Sequence, residues 1–350
     1  MIEMLGDRAG MIRVVDFFSG CGGTSFGFQR AGLDVLAGID FDKDASATYR
    51  RNITGAKTLE NDIRNVATEE IADFLGFDRR PLLFCGCAPC QPFSKQNRNC
   101  SDADPRRNLL AEFSRFVHYW KPEFLFLENV PGMQNVKAST GPLSDFLYLI
   151  SELGYSYSMR IWSALEFGVP QNRDRLIIVA SRIGSPPLPS TGSRYPEKRP
   201  ILRDWIGDLP PIKAGGKHDK DPNHRAASLS EKNLARIAAT PEGGSRQSWP
   251  PQLRLPCHSK HGGHSDVYGR LSWDKPAACL TTRCTSYSNG RFGHPEQNRA
   301  LSVREAACLQ TFPRNYEFIG GIESCARQIG NAVPPLVAQR FGESFLSSLI

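Results

Sequence analysis

Residues 82–94 read LLFCGCAPCQPFS, and the fold is decided here. Leu82, Leu83 and Phe84 read as the end of a buried strand, after which the chain breaks at Gly86 and in a Pro89-Cys90-Gln91-Pro92 turn. A short apolar run stopped by glycine and proline is how a parallel strand delivers a side chain to the carboxyl edge of an open sheet, where ligands bind. The side chain delivered is the thiol of Cys90. Pro89 and Pro92 fix φ and remove two backbone donors, which stiffens its surroundings. Taken alone, these residues leave four readings open. Cys90 is a buried inert thiol, a metal ligand with Cys85, Cys87 and Cys100, half of a redox pair with Cys87, or a nucleophile. The crowded spacing is unlike the paired gaps of zinc ribbons, and Cys87-Ala88-Pro89-Cys90 follows an inner strand rather than opening a helix.

Moving outward, the same strand-then-break pattern recurs. Residues 13–18 are β-branched and aromatic and stop at Ser19-Gly20-Cys21-Gly22-Gly23, before a helix through Phe26, Phe28 and Ala31 that ends at Gly32. Glycines allow close backbone approach to a ligand, and a helix start offers free N–H groups. A second strand, 35–39, ends in Asp40, twenty residues after Gly20, where an acid can accept hydrogen bonds from ribose hydroxyls. The Phe-x-Gly-x-Gly-Gly spacing differs from the dinucleotide fingerprint, which disfavours a nicotinamide cofactor; a ligand-free tight turn stays open. Asn61-Asp62-Ile63 follows a short apolar piece, and 68–75 reads as helical.

Downstream, 95–107 is a polar, basic-leaning loop, long enough to be functional or disordered. Asn108 can cap a helix whose Leu109, Leu110, Phe113, Phe116, Val117 and Trp120 share a face. Strand 124–127 ends in Glu128-Asn129-Val130-Pro131-Gly132; a capping or loop-pinning carboxylate is the plain alternative for Glu128. Pro142 opens a helix closed by Gly154, 155–165 reads as a strand, and Gln171-Asn172-Arg173-Asp174-Arg175 opens the strand 176–181. For these arginines a solvated turn paired with Asp174 is the alternative. Strand, glycine turn and helix, as in 13–31, are the entrance of an α/β nucleotide site.

At Ser185 the composition shifts. To about Arg299 the chain is rich in Pro, Gly, His and Arg, which reads as a second, smaller, irregular domain. Cys257, His258, His261 and His264 have no metal-site spacing and read as a polar loop, so no metal is expected. Ser302-Val303-Arg304-Glu305 is a capping box opening a helix through Leu309, and Pro334-Pro335 leads into an apolar terminal helix. With 350 residues, 40% hydrophobic and 23% charged, there is chain enough for a real core, and no run approaches the eighteen apolar residues of a membrane span. MIEMLGDRAG reads as a loose leader too polar for a signal peptide, and ten cysteines without secretory features suggest reduced thiols. The net charge of +7 permits a polyanionic partner without requiring one.

Six motifs now stand in order. They are 16–23 (DFFSGCGG), Pro89-Cys90-Gln91, Glu128-Asn129-Val130, Gln171-x-Arg173-x-Arg175, 299–313 (RALSVREAACLQTFP) and Gly330-Asn331-Ala332-Val333. Together they closely resemble the DNA (cytosine-5)-methyltransferases of the bacterial restriction–modification type, over nearly the whole chain except 185–298. The resemblance implies the α/β class I S-adenosylmethionine-dependent methyltransferase fold, with a mixed, mostly parallel doubly wound sheet and a smaller irregular target-recognition domain. A catalytic domain would comprise 1–184 and 326–350, and a target-recognition domain with its hinge 185–325. It implies Cys90 as nucleophile toward C6 of cytosine and Glu128 as the acid at N3. Arg173 and Arg175 would hold the base carbonyl and order the site, with Arg175 the direct contact.

For the cofactor S-adenosyl-L-methionine the resemblance implies Phe18 against adenine, Gly20 and Gly22 at close approach, and Asp40 on the ribose. Asp62 would meet the adenine amino group, Leu109 one adenine face, and Asn331 and Val333 the methionine side, with Phe41 and Ile63 also in the cofactor set. Pro89, Gln91, Ser94 and Asn129 would touch the substrate base, flipped out of duplex DNA, and 95–107 would close as a lid. A monomer in the cytoplasm, acting on the nucleoid, is implied, with a cognate restriction endonuclease sharing its site but not touching it. The pattern departs from the family twice: Gln96 to Cys100 lacks the usual lid glycines, and Asp40 stands where Glu is commoner. In the recognition region, where 268–273 and 276–283 resemble the family framework, Arg270, Arg283 and Arg291 have the reach to contact guanine edges; none is assigned as a specificity residue.

Overall fold

The computed structural model describes residues 10–87, 109–132, 141–190, 199–256 and 266–349; the 89–94 turn, the 95–107 loop and the 257–264 histidine cluster lie outside them. Strands Arg13–Phe17 (β1), Asp34–Asp40 (β2), Lys57–Glu60 (β3), Leu82–Gly86 (β4), Phe124–Asn129 (β5), Ser156–Ser163 (β6) and Asp174–Ser181 (β7) form one sheet in the order β3-β2-β1-β4-β5-β7-β6. Neighbours from β3 through β5 run parallel, and β7 is antiparallel to both β5 and β6. The sheet is therefore mixed and mostly parallel, as expected. Its strand order reverses between β1 and β4, so the crevice for a ligand opens at their carboxyl ends.

Alternation along the strands builds two apolar layers. On one face Phe17 and Phe84 meet Phe113 and Phe116 of the helix Leu109–Trp120, with Phe17 ring centroids 5.0–5.2 Å from the other three. Phe146 and Ile150 of the helix Pro142–Glu152 join the same cluster. On the other face Phe28, from the helix Gly23–Ala31 (α1), and Phe126 pack at 5.5 Å. Phe341 and Phe345 of the terminal helix Pro335–Ser347 close that layer. Gly27 is what lets α1 and the terminal helix touch. A Cβ there would lie 2.3 Å from the Pro335 carbonyl oxygen and 2.6 Å from the Ala338 Cβ. Gly27→Ala should cost about 1–3 kcal/mol in a urea titration, through overpacking rather than backbone conformation.

The elements follow the sequence reading with a few differences. The 68–75 helix is a 3₁₀ turn, Thr68–Ile71, running into one α turn, Ala72–Leu75. Asp174 and Arg175 are the first residues of β7 rather than a solvated turn. The helix Ile322–Asn331 was not anticipated, although Ile322, Cys325, Ala326 and Ile329 carry a helical spacing.

Two compact units divide the chain: 1–167, 174–194 and 333–350 in one, 168–173 and 195–332 in the other. The second has short helices and isolated bridges such as Lys217 to Arg225, around a cluster of Ile237, Trp249, Tyr287 and Ala300. The capping box forms as expected, Ser302 accepting from the Glu305 N–H and Glu305 from the Ser302 N–H. Residues 326–332, read from sequence as part of the catalytic domain, sit in this second unit, as does Arg173. The cause is local: the buried Arg173 guanidinium donates to the carbonyls of Leu280, Gly330 and Ala332, binding that segment together. Arg270 is likewise 3% exposed and donates to the carbonyls of Ile237, Thr240, His294 and Gln297. It braces the unit and has no donor to offer a base. Arg291 is tied to Asp266 and to the carbonyls of Gly243 and Gly244, while Arg283 is exposed.

Candidate active site

Within the first unit, two groups of residues meet at the carboxyl edge of the sheet. The first is the loop after β1. Phe18 has φ 57°, Gly20 53° and Gly22 89°, all left-handed. For Phe18 that conformation costs about 1–2 kcal/mol, so the surroundings must impose it. They do so by hydrogen bonds: the Ser19 N–H donates to the Ile39 carbonyl (3.0 Å), and the Gly20 N–H to Asp40 Oδ2 (2.8 Å). The other Asp40 oxygen accepts the Asp42 N–H at 2.9 Å. Burial pushes the Asp40 carboxyl up from its ordinary pKa, opposed by these two N–H donors. Asp40 therefore pins the loop, and each oxygen keeps a lone pair for another donor.

Among the described residues the loop faces open space: a Cβ built on Gly20 meets none of them within 4 Å. Ser19 Oγ is buried yet has no hydrogen-bond partner among the described residues, and the Phe41 ring is 66% exposed beside Asp40. Phe18 is half-buried against the Phe17 and Phe84 layer, and Gly22 is buried. Further along this edge Asp62 accepts from the Arg64 N–H (3.0 Å) and Nε (2.9 Å). The Arg64 side chain holds the Asp62 carboxyl below the usual carboxylate range, so it stays an acceptor. Ile63 and Leu109 are buried. One guanidinium joins their two segments: Arg115 Nη2 donates to the Ile63 carbonyl at 2.5 Å and to that of Val66 at 2.6 Å.

The second group lies across β5 and β7. Glu128 and Arg175 stand on these antiparallel strands, where Glu128 is in register with Ile177, and Arg175 Nε lies 2.8 Å from Glu128 Oε1. Their side chains are 8% and 18% exposed. The contact is an ion pair rather than a straight hydrogen bond, so Oε1 keeps its accepting capacity. Asn129, buried beside it, accepts the Val130 N–H at 2.7 Å. Strand β4 is the parallel neighbour of β5, with Gly86 opposite Leu127. Cys90 comes four residues after Gly86 in the sequence, and Glu128 one after Leu127. Cys90, Pro89, Gln91 and Ser94 themselves lie outside the described residues. Of the remaining sequence-predicted residues, Val333 is buried in the first unit, whereas Arg173 and the exposed Asn331 belong to the second.

The pattern of an α/β sheet with a left-handed glycine loop at one strand end and an acid–arginine pair at another has a counterpart among known proteins. The family model described as C-5 cytosine-specific DNA methylase matches residues 12–347. The chain belongs to the C-5 cytosine-specific DNA methylases. It is thus a DNA cytosine-5 methyltransferase. A type II methylase, M.HgiDII of Herpetosiphon aurantiacus, is 38% identical over 95% of this chain and 94% of its own. The type II methyltransferase M1.HphI of Haemophilus parahaemolyticus is 33% identical over 95% and 86%. A solved prophage-encoded DNA modification methyltransferase from E. coli superimposes with a TM-score of 0.73, covering 97% of this chain and 99% of its own, at 24% identity. That likeness shows the methyltransferase fold.

Sequence reasoning passed over Ser19, Arg64 and Arg115. Ser19 lay inside the motif and was read as spacing. The arginines carried a signal only once the fold is known: Arg115 follows Glu112 by one helical turn on the helix Leu109–Trp120, and its acceptors are carbonyls, which leave no mark in a sequence.

Proposed function

We propose that this methylase extrudes a cytosine from duplex DNA and methylates its C5 through a covalent bond between Cys90 and C6, using S-adenosylmethionine held by the loop after β1. The Glu128–Arg175 pair carries the reading, its acid standing on β5 beside β4, the strand that Cys90 follows in the sequence. C5 of cytosine is a poor nucleophile. A thiolate adding to C6 turns the ring into an enamine with electron density at C5, and Glu128 holds a proton at N3 as that density develops. Arg175, anchored to Glu128, fixes the carboxyl and has guanidinium donors left for the base carbonyl. When C5 has been alkylated, a base removes its proton, the C6–S bond breaks, and Cys90 leaves as thiolate. A buried pocket that takes one base requires the base to leave the stack, as methyltransferases do in general.

The residues present suit the cofactor. The orphaned Ser19 Oγ, the open space before Gly20 and the spare lone pairs of Asp40 suit a polar ligand approached by backbone. Exposed Phe41 offers an aromatic face for adenine, and the ionised Asp62 an acceptor for its amino group. When bound, S-adenosylmethionine supplies an electrophilic methyl group. Asp40, shorter than the family's usual Glu, already holds Gly20, so a ribose hydroxyl shares it or reaches it through water.

The type II names of the relatives support a modification enzyme of a restriction–modification system, with a cognate endonuclease reading the same site. We further propose a monomer working in the cytoplasm on the nucleoid; no described helix is long and apolar enough to cross a membrane. The test is tritiated methyl incorporation into duplex DNA and into tRNA, followed by bisulfite sequencing of DNA from cells expressing the protein. Incorporation confined to duplex DNA, at one short sequence, is expected; incorporation into tRNA alone would overturn the DNA assignment.

A further inference from the structure

Beneath the glycine loop lies a buried polar cluster that the reaction does not use. Asp16 of β1 is 2% exposed, and its Oδ2 accepts the Ser25 hydroxyl at 2.6 Å. Ser25 Oγ lies 3.0 Å from the hydroxyl of Tyr49, which is fully buried on the helix Lys43–Asn52. Ser25 is the third residue of α1, whose N-cap Gly22 has no side chain and whose first turn has no acid. Asp16 therefore anchors the first turn of α1 from a neighbouring strand through the Ser25 hydroxyl. Room for Tyr49 comes from Gly38 of β2, where a Cβ would lie 2.4 Å from the phenol ring.

We propose that Asp16 is a positioning residue for cofactor binding: through Ser25 and Tyr49 it fixes both ends of the loop at residues 18–22. The proposal rests on that loop being the cofactor site. Asp16 sits two residues before Phe18 on β1, and Ser25 three after Gly22 on α1, so one carboxyl tethers the strand that enters the loop to the helix that leaves it. An ionised Asp16 accepts the Ser25 hydroxyl in a charge-assisted hydrogen bond. A protonated one holds the same hydroxyl only through a neutral carbonyl oxygen, a weaker acceptor, which loosens the tether.

The groups facing Asp16 are Ser25 from α1, Tyr49 from the second helix, the Cys85 thiol from β4 and Asp40 at the end of β2; none is a cation. Burial pushes Asp16 up to about 7 and keeps the Tyr49 and Cys85 protons on. The tether tightens as pH rises through that value, and cofactor affinity should rise with it.

The experiment is calorimetric titration of the full chain with S-adenosylmethionine from pH 6 to 8.5, for wild type, Asp16→Asn and Asp40→Asn. Asn keeps the shape and one acceptor but never ionises. Wild-type Kd should fall on the order of fivefold across the range, whereas Asp16→Asn should stay near the wild-type pH 6 value throughout. The ligand's own titration is common to both proteins and cancels. The loss should appear in Kd and not in methyl transfer at saturating cofactor. An Asp16→Asn profile that superimposes on wild type would overturn the proposal. If Asp16→Asn does not fold, Tyr49→Phe, which removes only the last hydroxyl, should weaken binding in the same direction, and unchanged binding would count equally against it. Should Asp40→Asn leave Kd unchanged, it is the cofactor assignment of the loop that fails.

Discussion

Replacing Cys90 by Ala should reduce methyl transfer to the level of the no-enzyme control while leaving S-adenosylmethionine binding intact. The reason is electronic. Without addition at C6 the cytosine ring has no enamine form, and neither proton donation at N3 nor a well-placed electrophile creates one. The sheet separates the two functions: of the proposed cofactor residues, Phe18, Gly20, Gly22, Asp40 and Phe41 stand at the ends of β1 and β2, whereas Cys90 comes after β4 in the sequence. Isothermal titration should therefore give a wild-type Kd for the variant in the same preparation that shows no turnover. Retained turnover would mean that another group attacks the base.

Glu128→Gln comes next in size, with an expected fall in turnover of about 10²–10⁴-fold, the range for losing a positioned general acid. Gln keeps the volume and can still accept from Arg175, so the melting temperature should move little. Arg175→Met should also slow turnover, because it leaves the Glu128 carboxylate buried without its cation, 2.8 Å from where the guanidinium was. Since the two act as one pair, the double variant should lose less than the product of the single losses. Strict multiplicativity in that cycle would place Glu128 and Arg175 in separate roles.

The sheet could be read from sequence because its strands announce their ends. At Gly20, Gly86 and Pro131 the chain switches from apolar residues to turn formers within two or three positions, and each break stands at or just past a strand end along the carboxyl edge. The terminal helix was legible for a similar reason, through its apolar stripe of Val337, Phe341 and Phe345. The arginines were harder. Arg173 and Arg175 are spaced as neighbours on one strand face, but β7 begins only at Asp174, and Arg173 belongs to the second unit, where it turns inward to three of that unit's own carbonyls. Arg270 had the sequence profile of a base reader and is a buried brace. A guanidinium has five donors that main-chain carbonyls satisfy as well as a guanine edge does, and carbonyls are present at every residue. Charge in a sequence therefore shows where a cation is, not which way it faces. The same blindness hid the role of Asp16, whose neighbours Ser25, Tyr49, Cys85 and Asp40 lie on four other elements.

The covalent step can be seen directly. In 5-fluorocytosine the base that normally gives up a C5 proton has none to give, so an enzyme that has bonded to C6 and delivered its methyl group cannot release the DNA. A duplex already shown to be methylated, resynthesised with 5-fluorocytosine at the target and incubated with S-adenosylmethionine, should yield a protein–DNA species that survives denaturing electrophoresis, with Cys90→Ala giving none. Free protein and free DNA from the wild-type reaction would contradict a bond between Cys90 and the base.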